Sequence, residues 1–232
     1  MPVTICLVTD RRRLAGPGAS PADARRCLLA QARQAVDAGI DLIQVRERDL
    51  EAAELASLAA DLLEVVRPTS TRLVVNDRLD VALSCGADGV HLRSDSIPVA
   101  AARRLAPAGF LIGRSVHGVD EATAASDADY LIAGTVFPSA SKPPEHTRLG
   151  TDGLRAITRA VTIPVLAIGG VTIERLDQVA ASGATGVAAI GMFIESAGAS
   201  DASGCRASAL RETLQRIRAR FDSVNKIGRA HV

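Results

Sequence analysis

Cations, amides, hydroxyls and one histidine recur in this sequence at the ends of short apolar runs. Gln44, Arg46, Glu47, Arg48 and Asp49 follow Leu42-Ile43, and Asn76 and Asp77 follow Leu73-Val74-Val75. His91, Arg93 and Asp95 come next, then Ser115 and His117 after Leu111-Ile112, and Ser139, Ser141 and Lys142 after the run from Tyr130. Arg46, Arg48 and Lys142 together invite a diphosphate or a second anion, because forked guanidiniums and an ammonium suit phosphate oxygens. Ion pairing with Glu47, Asp49 and Asp77 is the plainer use for the same cations. Asp77 and Asp95 could hold Mg²⁺, which needs only one or two carboxylates beside phosphates and water. His117 and Ser115 are the candidate catalytic residues, since an imidazole that titrates near neutrality can exchange a proton with substrate. Two glycine-bearing segments, Gly169-Gly170 and Ile190-Gly191, let backbone approach a phosphate closely. His91 lies inside an apolar run and reads as packed or bonded to a neighbouring strand, and His146 reads as solvated.

These residues need a frame that brings separate run ends together. Short β-branched runs alternate with longer Ala-, Leu- and Arg-rich stretches of helical period, which predicts eight βα units and a (β/α)8 barrel. The predicted strands are ICLVTD from Ile5, LIQVRE from Leu42, RLVVND from Arg72, GVHLR from Gly89, LIGRSV from Leu111, YLIAGTVF from Tyr130, VLAIGG from Val165 and GVAAIGMF from Gly186. Uninterrupted apolar strands such as VLAI fit burial on both faces. Ser20, Pro21 and Asp23 supply a cap, a first-turn proline and a first-turn acid, predicting the first crossover helix there. Gly39, Gly86 and Gly183 are expected left-handed helix ends. In such a barrel chemistry gathers at the C-terminal ends of the strands, and the loops after strands seven and eight hold phosphate. The polar, proline-containing stretch from Pro138 to Gly150 reads as a lid over that rim.

Composition narrows the function. With 232 residues and 47% hydrophobic content, one domain spanning 1–225 can bury a large core. Lys and Arg number 27 against 26 Asp and Glu, so no global field attracts nucleic acid or an anionic membrane. Four Phe, one Tyr and no Trp leave few stacking platforms for single-stranded nucleic acid. No secretory signal or membrane-length apolar run is legible, which predicts a cytoplasmic protein. Cys6, Cys27, Cys85 and Cys205 form no CxxC pair and read as small buried hydrophobes in a reducing compartment. Residues 226–232, ending IGRAHV, resemble translated library adapter and read as a non-native tail.

As a set these segments resemble the thiamin phosphate synthase and thiazole tautomerase (TenI) family. QVRER at 44–48 is similar to its QxRxK segment, and VNDRLDVAL with GADGVHL is similar to its NDR and GVHL blocks. GRSVH, GTVFPSASK and AIGGVT complete the series across roughly residues 42–195. The resemblance implies a barrel acting on a phosphorylated thiazole, and it suggests a homo-oligomer. For a synthase it implies that Arg46, Arg48, Asn76, Ser115 and Lys142 hold the pyrimidine diphosphate, with Gln44, Ser139 and Ser141 as further substrate- or phosphate-binding residues. Asp77 would then bind Mg²⁺, and Gly169, Gly170, Ile190 and Gly191 would hold the thiazole phosphate. For a tautomerase it implies no metal and a proton carried by His117. Where the synthase pattern reads HLGQED this chain reads HLRSDS, so a metal aspartate becomes Ser96 and a glycine becomes Arg93. That departure turns the expectation toward the tautomerase; the Mg²⁺-dependent synthase and a non-catalytic phosphate-ester-binding barrel are the alternatives.

Overall fold

The computed structural model describes residues 3–139, 147–197 and 205–229. Eight parallel strands close into a barrel in sequence order, with the first paired to the last. They are β1 (Thr4–Val8), β2 (Leu42–Val45), β3 (Arg72–Asn76), β4 (Gly89–Leu92), β5 (Leu111–Val116), β6 (Tyr130–Gly134), β7 (Val165–Ile168) and β8 (Gly186–Ala189). Between and after them lie α1 (Arg11–Ala15), α2 (Pro21–Asp37), α3 (Ala52–Val66), α4 (Leu79–Cys85), α5 (Val99–Leu105), α6 (Val119–Ala124), α7 (Gly150–Ala160), α8 (Leu176–Ala181), α9 (Gly191–Ala197) and α10 (Cys205–Arg229).

All eight predicted strands exist, but most stop earlier than their apolar runs suggest. Strand six ends at Gly134 rather than Phe137, and strand eight ends at Ala189, with Gly191-Met192-Phe193 opening α9 instead. Past Gly134 the two-sided ladder is lost, and the remaining bonds are single amides: Val136 donates to the Ile168 carbonyl and Phe137 to the Gly169 carbonyl, both at 2.9 Å, so the run ends become loops at the rim. Ser20 caps α2, its hydroxyl accepting from the Asp23 amide at 3.1 Å. The crossover nonetheless opens with the short helix α1, capped by Asp10, which sequence periodicity did not reveal. Gly39, Gly86 and Gly183 all take positive φ at helix ends, as expected.

Alternation along the strands separates two apolar regions. Cys6, Val8, Leu42, Val74, Tyr130, Ile132, Leu166 and Ala188 fill the barrel interior. Residues between them, such as Ile5, Leu7, Ile43, Leu73, Val75, Ile112, Leu131 and Val187, face the helical layer. In α10, Leu210, Leu214, Ile217 and Phe221 are buried at helical spacing and complete that layer. Of the described cysteines only Cys6 is buried; Cys27 is exposed because it sits on the outer face of α2, between the inward Ala24 and Leu28. Thus Cys27 corrects the expectation of buried cysteines.

The N-terminal end of the barrel is pinned by a repeated device. Asp41 accepts from the Ile5 amide at 2.8 Å, Asp88 from Leu73 at 2.8 Å and Asp129 from Ile112 at 2.6 Å. Each carboxylate is also paired with an arginine: Arg218, Arg72 and Arg103 respectively. One aspartate therefore ties its own chain segment to the start of the preceding or neighbouring stave. Among the described residues no helix is long and apolar enough to cross a membrane.

Candidate active site

The inward register of the strands carries the site. Side chains alternate faces along a strand, so the interior residues Leu42 and Val74 are followed two positions later by Gln44 and Asn76. The same two-residue step leads on to Arg46 and Arg48 from β2, and to His91 then Arg93 from β4. On β5 it gives Ser115 then His117. These residues line one cleft of about 910 Å³ at the C-terminal end of the barrel, with Ser139, Ile168, Gly169, Gly170, Ile190 and Gly191. That volume is large for one small ligand and sufficient for two. Ser141 and Lys142 lie outside the described residues, as does most of the expected lid from Pro138 to Gly150. The described base of that loop is tied back by the Leu149 and Gly150 amides, which donate to Thr135 and Val136 carbonyls at 2.9 and 3.1 Å.

Gln44 is almost fully buried, and its Nε2 donates to Asn76 Oδ1 at 2.9 Å. Its Oε1 is buried without a partner among the described residues. A buried acceptor left unpaired costs roughly 1–3 kcal/mol, so this oxygen is poised for a donor on a ligand.

The anionic neighbours of Arg46 and Arg48 are spoken for elsewhere. Glu47, 5% exposed, accepts from Thr9 Oγ1 at 2.6 Å and from Arg11 at 2.9 Å. Asp49 takes both ends of the Arg11 fork at 2.7 Å and pairs with Arg12 at 2.7 Å. Burial pushes the Glu47 carboxyl up, against the opposing pull of Thr9 and Arg11, whereas Arg11 holds Asp49 below its usual range. The expected alternative, in which Arg46 and Arg48 pair with Glu47 and Asp49, is thus not what the fold builds. Neither arginine forms a side-chain ion pair with any described residue. Arg46 is half-buried, and its guanidinium is depressed first by burial and then by Arg48, with Arg93 adding to it.

On the β4–β6 side, His91 is buried and bridges Tyr130 at 3.2 Å and Ser115 Oγ at 2.9 Å. Burial, with Arg114 nearby, pushes its pKa down to about 3, so the ring is neutral and fixes the Ser115 hydroxyl. This placement matches the expectation for His91 of a residue bonded to a neighbouring strand. His117 is exposed at the rim; its Nδ1 bonds the Gly134 carbonyl, and its amide donates to Glu121 at 2.9 Å. A carbonyl can only accept, so Nδ1 carries a proton, and in the neutral form of the ring the lone pair lies on Nε2.

The two expected metal carboxylates face a cation already. Asp77 takes φ 65°, a left-handed turn that its short polar side chain tolerates, and its Oδ1 accepts from Ser96. Its Oδ2 lies 3.6 Å from Arg93, whose other terminal nitrogen bonds Asp95. Among the described residues no cluster of three metal-ligating side chains forms.

At the far side of the cleft, Gly169 and Gly170 take φ 93° and 62°. A Cβ on Gly170 would sit 2.2 Å from the Pro138 carbonyl oxygen, so only glycine lets this turn pack under the β6 loop. Arg175 braces the turn, donating to the Gly170 carbonyl at 2.7 Å and lying over Phe137. Arg13 comes within 3.0 Å of where a Cβ on Gly191 would project, and Arg216 from α10 also lines the cleft. Sequence reasoning missed Arg13, Arg175 and Arg216. Arg13 rides on the unforeseen α1, and nothing local in α10 singles out Arg216 from its other arginines.

Comparison with known proteins bears on this cleft. Residues 15–193 match a family model described as thiamine monophosphate synthase (TMP-TENI). A thiamine-phosphate synthase from Methanoregula boonei is 43% identical over 165 residues, covering 70% of this chain and 76% of the relative. One from Moorella thermoacetica is 39% identical over 195 residues, covering 83% and 91%. Among solved structures, thiamine phosphate pyrophosphorylase from Pyrococcus furiosus superposes with a TM-score of 0.73 at 31% identity, covering 96% of both chains.

Proposed function

The chain belongs to the thiamine monophosphate synthase family, and on that premise we propose that it is a thiamin phosphate synthase. It would join hydroxymethylpyrimidine diphosphate to a thiazole phosphate and release pyrophosphate. The observation that carries this reading is the pair Arg46 and Arg48, without a side-chain ion pair among the described residues, set in the same cleft as the Gly169-Gly170 turn and Gly191. A tautomerase substrate bears one phosphate and a single ring carboxylate, whereas a synthase must hold a phosphate and a diphosphate, and two neighbouring guanidiniums suit the diphosphate better. The names of the relatives support the same choice, so the tautomerase expectation drawn from Ser96 gives way to its alternative.

In the proposed reaction the bond between the pyrimidine methylene and the diphosphate oxygen breaks, and the thiazole nitrogen's lone pair forms the new bond to that methylene. No proton need move in this step. The chain's work is therefore positioning and charge stabilisation. Arg46 and Arg48 bind the diphosphate and stabilise the charge that builds on the leaving pyrophosphate. Ser115, held by neutral His91, donates its hydroxyl to the same group. Gln44 Oε1 accepts from an amino donor on the pyrimidine. The Gly169-Gly170 turn and the Ile190-Gly191 segment seat the thiazole phosphate, with Arg13 and Arg216 supplying positive charge. Lys142 remains assigned to the diphosphate by resemblance, and Ser139 and Ser141 to substrate binding.

The family resemblance implies Mg²⁺ beside the diphosphate. The residues present do not fit that ion as they stand: Asp77 is engaged by Ser96 and faces Arg93, and Asp95 is tied to the same guanidinium.

The test is thiamin phosphate formation from the two substrates, followed together with pyrophosphate release. Stoichiometric product supports the synthase. One observation favours a second reading: His117 stands at the rim with its Nδ1 bonded to the Gly134 carbonyl, which leaves Nε2 as the ring nitrogen available to carry a proton on a carboxythiazole phosphate. Interconversion of thiazole tautomers without condensation, abolished by His117→Asn, would establish that reading instead.

A further inference from the structure

Arg93 stands at the end of β4, where a divalent cation would be expected between carboxylates. Its guanidinium lies 3.6 Å from Asp77 Oδ2 through one terminal nitrogen and bonds Asp95 through the other. It is half-exposed into the same cleft as Arg46 and Arg48. The loop that carries it is stiff. The Arg93 amide donates to Ser96 Oγ at 2.9 Å, and the Ser96 amide returns to the Arg93 carbonyl at 3.1 Å. Arg114 then clamps the loop from beneath, donating to the Ser94 and Ile97 carbonyls at 2.8 and 2.7 Å. The loop backbone is therefore fixed by the fold, and the guanidinium at its tip is directed by Asp95.

We propose that Arg93 is a built-in replacement for the divalent cation, so that this chain binds the diphosphate of its substrate without Mg²⁺. The inference rests on the diphosphate reading above and concerns how that site is charged. Asp77 and Asp95 bring two negative charges to this corner of the cleft, and the Arg93 guanidinium offsets one of them beside Arg46 and Arg48. A divalent ion on Asp77 and Asp95 would restore attraction for a diphosphate; in its place a planar guanidinium offers forked donors to the phosphate oxygens. Arg93 also adds to the repulsion felt by half-buried Arg46. An anion lying among the three relieves that repulsion.

The experiment is calorimetric titration of the full chain with inorganic pyrophosphate, in chelator and then in excess Mg²⁺. Wild type is expected to bind in chelator with an affinity within about threefold of that in Mg²⁺, a difference under ~1 kcal/mol. Arg93→Gly should lose about tenfold or more in chelator and recover in Mg²⁺, because Asp77 and Asp95 are released to take the ion. Arg93→Gln, which keeps the side chain's bulk, should lose affinity in chelator similarly, which separates charge from loop packing. The Mn²⁺ electron paramagnetic resonance signal gives a readout independent of any anion: Arg93→Gly should gain Mn²⁺ binding over wild type. Wild type that binds pyrophosphate only with Mg²⁺, with Arg93→Gly unchanged in both conditions, overturns this proposal and leaves the synthase reading intact. Folded wild type that binds no pyrophosphate in either condition overturns both.

Discussion

Asp41, Asp88 and Asp129, at the N-terminal end of the barrel, each accept a strand amide and pair with an arginine. Arg46 and Arg48, at the opposite end, have no described carboxylate partner, and Gln44 keeps a buried oxygen unpaired. Both ends place arginines beside polar groups at the strand termini. They differ in whether the polar groups are satisfied within the chain. A satisfied end contributes to folding and has nothing left to offer a ligand; an unsatisfied end opposes folding slightly and is completed by substrate. The Arg11–Glu47–Asp49 network shows the boundary between the two regimes, because it consumes the acids that would otherwise silence Arg46.

The largest effect should come from breaking the unsatisfied end. Arg46→Met is expected to lower kcat/KM for condensation by about 10²–10³, the usual loss when a preorganised charge contact to a developing anion is removed. Its Tm should hold or rise, since a half-buried cation without a partner is lost. A fall of several degrees in Tm with activity retained would mean that Arg46 belongs to the structural class after all.

The satisfied end should respond in reverse. Asp88→Ala leaves the Leu73 amide and Arg72 without their acceptor and should cost about 2 kcal/mol in chemical denaturation. Below the unfolding transition its kcat/KM should stay within about twofold of wild type, because the change lies at the far end of the barrel from the cleft. A large loss of turnover in fully folded protein would erase the distinction between the two ends.

His91 spans the regimes, since it is buried and fully bonded yet serves the site through Ser115. Its folded pKa of about 3 lies below its unfolded value of 6.5, so the folded state resists protonation. The stability tied to its neutral form is complete above pH 6.5 and is lost as pH falls toward 3, by about 1.4 kcal/mol per pH unit. Denaturation midpoints of wild type and His91→Gln across that window should diverge from wild type's steeper acid loss. Parallel curves would show that the ring is protonated without penalty.

Much of this was legible in the sequence, and the misses have physical causes. Eight staves could be placed because each is apolar on both faces, and the glycines at 39, 86 and 183 marked helix ends through their backbone freedom. The strand ends could not be, because Val136-Phe137 remain apolar past Gly134 and keep single amide bonds to Ile168 and Gly169 after the two-sided ladder is lost. Gln44, Arg46, Asn76, Ser115 and the Gly169-Gly170 turn were recognisable as rim residues since each terminates a predicted strand. Arg13 and Arg216 were not: one sits on a helix of five residues without a periodic signal, and the other reaches the cleft only through the docking of α10. The meaning of Arg93 needed side-chain geometry. In the sequence it was a departure from a pattern, and in the fold it is a cation between two acids.

The smallest effect, and the sharpest on the comparison, concerns the orphan oxygen of Gln44. Gln44→Met keeps the volume and removes both the unpaired acceptor and the bond to Asn76. Folding stability should change little, because a lost hydrogen bond of about 1 kcal/mol is offset by relief of a buried unsatisfied group of similar size. Binding should not be so forgiving. Without an acceptor for the pyrimidine's amino donor, KM for the pyrimidine diphosphate should rise about fivefold to tenfold, while KM for the thiazole phosphate stays level. Steady-state kinetics with each substrate varied in turn separates the two. An equal rise in both would assign Gln44 to general packing of the cleft, and unchanged kinetics with raised stability would make its oxygen a plain defect in the barrel interior.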